Sequence, residues 1–292
     1  MKVAAFNVKN LGDKKVSDDF VSSNLIKIIS QYSIVVILEV VDEDGTAMHL
    51  LLQKLNNLTL KITYKMVCSP RLGRSTYKEQ YVYFYRSDEV KLMNEYQYED
   101  QQAGDEDVFA REPFIVHFHC FNTVVEDLVL IPVHTNPEDT ERELDELYDV
   151  VMDVLDKWDV DNIMILGDFN AGGRYLSQRK KKSLRINAEP FHWLIDDKVD
   201  TTASNCNDNT YDRIVVYGSE MLDAIVPKSA KPFNFQREFG LTESKALRIS
   251  DHYPVEVQLK PRTNRAGAQR NAAAKRKRGQ ASAAGTSGKR GR

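Results

Sequence analysis

The sequence predicts an α/β layered domain built on a mixed sheet. Short apolar runs of strand length recur along the first 260 residues, helical patterns separate them, and polar residues stand at corresponding ends of the runs. No internal repeat with a period of about 20 to 50 residues is present, which excludes solenoids and propellers.

Taken in order, residues 3–6, 34–38, 81–85, 128–133, 163–166, 214–216 and 255–259 form apolar runs rich in Val, Ile, Leu and Tyr and are expected as strands. Helices are expected over 20–32, 46–55 and 137–158. The last is the clearest, with Leu144, Leu147, Val151, Val154, Leu155 and Trp158 on one face. Pro137 suits a first helical position, and Glu138, Asp139 and Glu141 suit the positive end of the helix dipole.

Composition narrows the class. The 292 residues are 42% hydrophobic and 28% charged, near the average of soluble globular proteins. No apolar run approaches the roughly 18 residues of a membrane span, so no membrane partner is expected. The only apolar stretch near the start, residues 3–6, is interrupted by Asn7 and Lys9. No signal peptide is therefore expected, and an intracellular protein is. Cys68, Cys120 and Cys206 lack metal-ligand spacing and are expected as free thiols. The net charge of −3 hides an asymmetry: residues 261–292 hold ten Lys/Arg and no acid, leaving 30 basic against 43 acidic residues in 1–260. We expect a folded domain over 1–260 and a disordered basic tail over 261–292, too poor in apolar side chains to offset its chain entropy. Its cluster Lys275, Arg276, Lys277 and Arg278 reads as a nuclear-import or nucleic-acid-binding segment. The nucleus is the favoured compartment, the cytoplasm the second, and secretion is not expected.

The chemistry sits where the apolar runs end. Asn7, Glu39, His134 and Gly167-Asp168-Phe169-Asn170 each follow a run, whereas Asp212 and Asp251-His252 precede one. All can share one rim only if the later strands run antiparallel to the earlier ones, hence the mixed sheet. Strand alternation points Asp168 and Asn170 to one side and Phe169 into the core. His117 and His119 read as sheet surface or satisfied core, outside the site.

In order, the segments Ala5-Phe6-Asn7, Ile37-Leu38-Glu39-Val40, Leu72-Gly73-Arg74, Tyr77-Lys78-Glu79, Arg111-Glu112-Pro113, Pro132-Val133-His134, Gly167-Asp168-Phe169-Asn170-Ala171-Gly172, Tyr211-Asp212-Arg213 and Ser250-Asp251-His252-Tyr253-Pro254 resemble the motifs of the deoxyribonuclease I family. The basic tail and Tyr77-Lys78-Glu79-Gln80-Tyr81 resemble its gamma-type branch most. The resemblance implies a four-layer sandwich of two mixed sheets flanked by helices. It also implies divalent-metal-dependent endonucleolytic hydrolysis of double-stranded DNA of low sequence specificity, leaving 5′-phosphate ends, in DNA fragmentation during cell death.

Carried over by motif, Glu39 is the principal ligand of Mg²⁺ or Mn²⁺, with Asn7 and Asp251 beside it. His252 pairs with Asp212 and His134 with Glu79, while Asp168 and Asn170 orient the attacking water and the scissile phosphate. Arg111 and Tyr77 contact the DNA backbone. Asp100 with Asp107, and Asp200 with Thr202, correspond to places where relatives hold structural Ca²⁺. A monomer acting on DNA and chromatin is implied. Some members bind actin, but the strand around Lys65-Met66-Val67 does not clearly carry the matching residues. The alternatives are a phosphodiesterase of the wider superfamily with a lipid or abasic-site substrate, and a non-catalytic DNA- or actin-binding relative.

These residue types suit the chemistry on physical grounds. Phosphodiester hydrolysis gathers negative charge that a hard cation held by carboxylates neutralises, and a histidine paired with a carboxylate carries protons near neutral pH. The chain departs from the family pattern at Gly173 and Asn209, where the family has cysteines, so the family disulfide cannot form there. The basic run Arg179, Lys180, Lys181 and Lys182 is expected to contact phosphates beside the site.

Overall fold

The computed structural model describes residues 1–58, 62–100, 107–206 and 208–262. The tail cluster 275–278 and most of the loop between Asp100 and Asp107 lie outside the described residues. One compact unit runs from Met1 to Lys260.

The described strands are β1 (Lys2–Leu11), β2 (Ile34–Val40), β3 (Tyr64–Cys68), β4 (Gln80–Arg86), β5 (Val90–Gln97), β6 (Phe114–Cys120), β7 (Asp127–His134), β8 (Ile163–Asp168), β9 (Phe191–Trp193), β10 (Asp212–Tyr217), β11 (Lys231–Pro232) and β12 (Val255–Gln258). The described helices are α1 (Asp13–Ser17), α2 (Asp19–Ile29), α3 (Thr46–Leu58), α4 (Thr140–Trp158), α5 (Gln178–Ser183), α6 (Ser219–Ala224), α7 (Phe235–Glu238) and α8 (Glu243–Ile249). The strands form two six-stranded sheets, in the orders β11-β12-β1-β2-β4-β3 and β5-β6-β7-β8-β10-β9. Both are mixed. β1 runs parallel to β2 and antiparallel to β12, and β8 runs parallel to β7 and antiparallel to β10.

Alternation within single strands builds the layers. Val3 and Ala5 of β1 enter a central core shared with Val116, Leu130, Leu166 and Ile214 of the other sheet, whereas Ala4 and Phe6 face α2, α3 and α8. On the far side, Val129, Ile131 and Ile165 pack under Leu144, Leu147 and Val151 of α4. The four-layer α/β/β/α sandwich follows. Most strands buried on both faces read as unbroken apolar runs and were expected; β6, equally buried, was not, because His117 and His119 interrupt its run. Edge strands β3 and β5 are only partly buried and carry no such run.

Helix α4 starts at Thr140, not at Pro137. The carbonyl of Asn136 accepts from Asp139 N and Thr140 Oγ1, so residues 136–139 are spent on a turn. That turn is tied down by Glu143, whose Oε1 accepts from Asn136 N at 3.1 Å and Ala110 N at 3.2 Å. Burial lifts the Glu143 carboxyl to about 7, against the pull of those bonds and of Arg111. The folded state therefore holds its proton more tightly than the unfolded chain. Stability is full below the ordinary glutamate range and falls as pH rises to about 7. Replacing Glu143 with Gln keeps the acceptor and removes the charge. We expect Glu143→Gln to be more stable than wild type by roughly 1–3 kcal/mol at pH 8 and equal to it at pH 4, read from urea midpoints at both pH values.

Candidate active site

The site lies where the ends of β1, β2, β7 and β8 meet the start of β10 and the turn before β12. Register sets its centre: His134 is level with Asp168 across the parallel pair β7/β8, and Asp212 is level with Asp168 across β8/β10. Gly167, just before Asp168, has φ +142°, and a Cβ there would lie 2.1 Å from the carbonyl oxygen of Val133. Only glycine lets the two strands approach at this point.

Two histidines converge on one carboxylate oxygen. His134 holds Glu79 Oε1 through Nδ1 at 2.5 Å and places Nε2 3.8 Å from Asp168 Oδ2. His252 holds Asp212 Oδ2 through Nδ1 at 2.9 Å and places Nε2 3.7 Å from the same oxygen. Each ring is thus oriented by a buried acid and keeps its other nitrogen toward Asp168. Burial disfavours the cation at both rings, but Glu79 at His134 outweighs it, and Asp212 with Asp168 raises His252 to about 10. Burial also raises Asp212, against the pull of the His252 imidazole.

Glu39 and Asn7 complete the cluster. Asn7 is fully buried and donates from Nδ2 to Glu39 Oε1 at 2.9 Å and to Asp168 Oδ2 at 3.0 Å, while its Oδ1 accepts from Lys9 N. It braces the two carboxylates together and gives its oxygen to the backbone. Glu39 Oε1 also lies 3.7 Å from His134 Nε2. Glu39 and Asn170 have φ of +56° and +47°, a left-handed conformation rare for such residues; strain of this kind concentrates at functional sites. Asp251, beside His252 in sequence, has its carboxylate 2.5 Å from Lys9 Nζ. Asn170 N donates to Asp168 Oδ1, and its Nδ2 donates to Thr135 O.

Arg111 joins through Nε to Glu79 Oε1 at 2.6 Å. Tyr77 is exposed and donates to Asn10 Oδ1 at 2.9 Å. Glu39, Asp168 and Asp251 offer the carboxylate oxygens that Mg²⁺ or Mn²⁺ requires. Asp168, Asp212 and His252 bring ligand atoms within 4.8 Å of one another, but the imidazole and its Asp212 partner are joined to each other. We read that trio as a proton-handling pair against Asp168.

The predicted calcium positions lie elsewhere. Asp100 Oδ2 accepts from Val108 N, and Asp107 is ion-paired with Arg74. Asp200 Oδ1 accepts from Thr202 N, Thr202 Oγ1 and Asn209 N, closing a turn. Thr201 and Ala203, in the same segment, bond the backbone of Tyr211, Asp212, Tyr253 and Asp251, so this loop also supports the Asp212–His252 pair. Of the basic run, Lys180 pairs with Glu141 and Lys181 with Asp197, which leaves Arg179 and Lys182 as its unspent exposed charges.

Several supports were not legible as site residues. Arg213 is buried and donates to Thr210 O, Ile195 O, Asp197 Oδ1 and Ala171 O. It ties together three loops around Asp168 and Asp212. Ser250 Oγ donates to Asn7 O and accepts from His252 N. A hydroxyl or guanidinium directly beside a motif residue is the signal that sequence offers. The three cysteines are free. Gly173 and Asn209 do stand side by side, with a Gly173 Cβ position 2.7 Å from Asn209 Oδ1.

Comparison with known proteins places the chain in a family. The endonuclease/exonuclease/phosphatase family model matches residues 4–252. Deoxyribonuclease gamma of Homo sapiens is 43% identical over 261 residues, covering 89% of this chain and 86% of its own. Deoxyribonuclease-1 of Oryctolagus cuniculus is 45% identical over 262 residues, covering 89% and 92%. A solved family protein from Leptotrichia buccalis superposes with a TM-score of 0.61 at 16% identity, covering 89% of this chain and 99% of its own. The catalytic domain of human Nocturnin gives 0.59 at 16%, covering 90% and 94%; at such identity these two speak for the fold alone. The chain belongs to the endonuclease/exonuclease/phosphatase family and, within it, to the deoxyribonuclease I group.

Proposed function

We propose that this protein is a divalent-metal-dependent endodeoxyribonuclease that hydrolyses DNA with low sequence specificity and leaves 5′-phosphate ends. The observation that carries the reading is the pair of acid-bound imidazoles, Glu79–His134 and Asp212–His252, with both Nε2 atoms turned to Asp168 Oδ2. Hydrolysis needs a group that takes a proton from water on one side of the phosphorus and one that gives a proton to the departing 3′ oxygen on the other. Two oriented imidazoles supply both. Relatives named deoxyribonuclease support DNA as the substrate.

Glu39, with Asp168 and Asp251 close by, would hold Mg²⁺ or Mn²⁺, whose charge offsets that of the phosphate oxygens. Asn7 keeps Glu39 and Asp168 in place. Arg111 and Tyr77 would meet the DNA backbone, joined by Arg179 and Lys182. On the same reading, Ca²⁺ at Asp100/Asp107 and Asp200/Thr202 would be structural. The basic tail would add phosphate contacts on chromatin and direct the chain to the nucleus, where DNA fragmentation in dying cells is the expected setting.

The test offers one preparation three substrates with Mg²⁺: supercoiled plasmid, a duplex with a single abasic site, and sphingomyelin vesicles. Cleavage of undamaged plasmid, with ends that ligate without prior phosphorylation, is expected. Turnover confined to the abasic duplex or to the lipid would replace DNA hydrolysis with one of those activities.

A further inference from the structure

The wall beside the Asp212–His252 pair carries a cation that the proton chemistry does not use. A glycine makes this wall possible. Gly173 has φ +57°, and a Cβ there would lie 2.7 Å from Asn209 Oδ1 and 3.4 Å from the Tyr211 hydroxyl oxygen. The loop after Asp168 can therefore close on residues 209–211. Tyr175 N donates to Gly172 O at 3.2 Å, which turns the chain back, and the Tyr175 ring comes to 5.5 Å from that of Tyr211. Tyr211 in turn stands 6.4 Å from the His252 ring.

Arg174 caps the outer end of this row. Its guanidinium lies over the Tyr175 ring, 5.0 Å from the centroid, and Nη2 donates to the Tyr175 hydroxyl at 3.1 Å. The side chain is exposed, and no carboxylate among the described residues pairs with it. Neighbouring cations are committed: Lys180 is paired with Glu141, Lys181 with Asp197, and Arg185 with Asp145 and Asp149. A guanidinium resting on an aromatic face keeps its planar fork in one orientation, so little further entropy is lost when it takes a ligand. That fork matches two oxygens of a phosphate.

On the reading of this chain as a nuclease, we infer that Arg174 binds a DNA backbone phosphate flanking the one that is cut, and so holds the strand beside the Asp212–His252 pair. Two rings separate Arg174 from His252, so the phosphate it meets is a neighbour of the scissile one. Tyr175 serves as the shelf that aims the guanidinium, and Gly173 as the hinge that lets the shelf reach Tyr211.

Duplex affinity, read by fluorescence anisotropy between about 50 and 200 mM salt, tests this in the full chain carrying His134→Ala to prevent turnover. Arg174→Ala, Arg174→Lys and Lys91→Ala are compared with that parent. Lys91 is an exposed cation on β5, level with His119, which is itself level with Asp127 at the opposite end of β7 from His134. One phosphate contact contributes roughly 0.9 to the slope of log affinity against log salt, so Arg174→Ala should flatten the slope by about that amount and weaken binding roughly 3- to 10-fold. Arg174→Lys should keep the slope and lose part of the affinity, because an ammonium carries the charge without the fork. Lys91→Ala should match the parent in both. A slope unchanged in Arg174→Ala, or flattened equally by Lys91→Ala, would overturn the contact and leave the nuclease reading standing, since the parent still binds duplex. A parent without salt-dependent affinity for duplex would overturn both.

Discussion

His252→Ala is expected to lower the plasmid-nicking rate by roughly 10²–10⁴-fold, the usual contribution of a positioned acid or base, with little change in DNA affinity. His252 holds Asp212 through Nδ1 and points Nε2 at Asp168, so truncation removes a proton carrier and leaves the scaffold. His134→Ala should cost a similar factor, because it has the same relation to Glu79 and Asp168. Since the rings serve two halves of one displacement, the double variant should lose far less than the product of the single losses. Asp212→Asn probes orientation: the ring stays but loses its carboxylate partner, and most of the rate should go with it. Single-turnover rates and filter-binding affinities separate chemistry from binding. Near-wild-type rates in His252→Ala, with retained thermal stability, would exclude this histidine from the reaction.

The second large effect is structural. Gly167→Ala should destabilise the protein by more than about 4 kcal/mol or prevent folding. The added methyl would meet the Val133 carbonyl at 2.1 Å, and the backbone at φ +142° disfavours any side chain. Neither partner can yield, because Val133 and Gly167 are paired within the parallel ladder that makes His134 level with Asp168. Any variant that does fold should show a shifted ladder and a lost site. A urea midpoint equal to wild type would show that the strands separate more easily than their register suggests. Gly172→Ala is a useful comparison, since its nearest contact is 3.0 Å and its backbone lies outside the left-handed region.

The sequence made most central strands legible because both of their faces are buried, giving unbroken apolar runs such as residues 34–38 and 163–166, while β6, equally buried, was missed because His117 and His119 break its run. The edge strand β5, with Lys91, Asn94 and Glu95 in its exposed positions, has no such run. The short helices α1 and α5–α8 offer too few turns for a helical period to emerge. At the site, polar residues at strand ends were visible, and register alone brings His134, Asp168 and Asp212 level. What stayed hidden depends on three-dimensional closure. The direction of the Asn7 amide, the left-handed backbone of Glu39, and the Arg213 side chain linking three loops are products of neighbours distant in sequence. The turn at 136–139 was misread as helix because Pro137 favours a helix start equally well as a turn.

The most direct test is supercoiled-plasmid nicking by the purified full-length chain with Mg²⁺, with and without EDTA. Conversion to open-circular and then linear DNA, abolished by EDTA, is the predicted result. Plasmid left intact with Mg²⁺ and with Mn²⁺, or nicking undiminished by EDTA, would contradict a metal-dependent nuclease built on Glu39, Asp168 and the two acid-bound histidines.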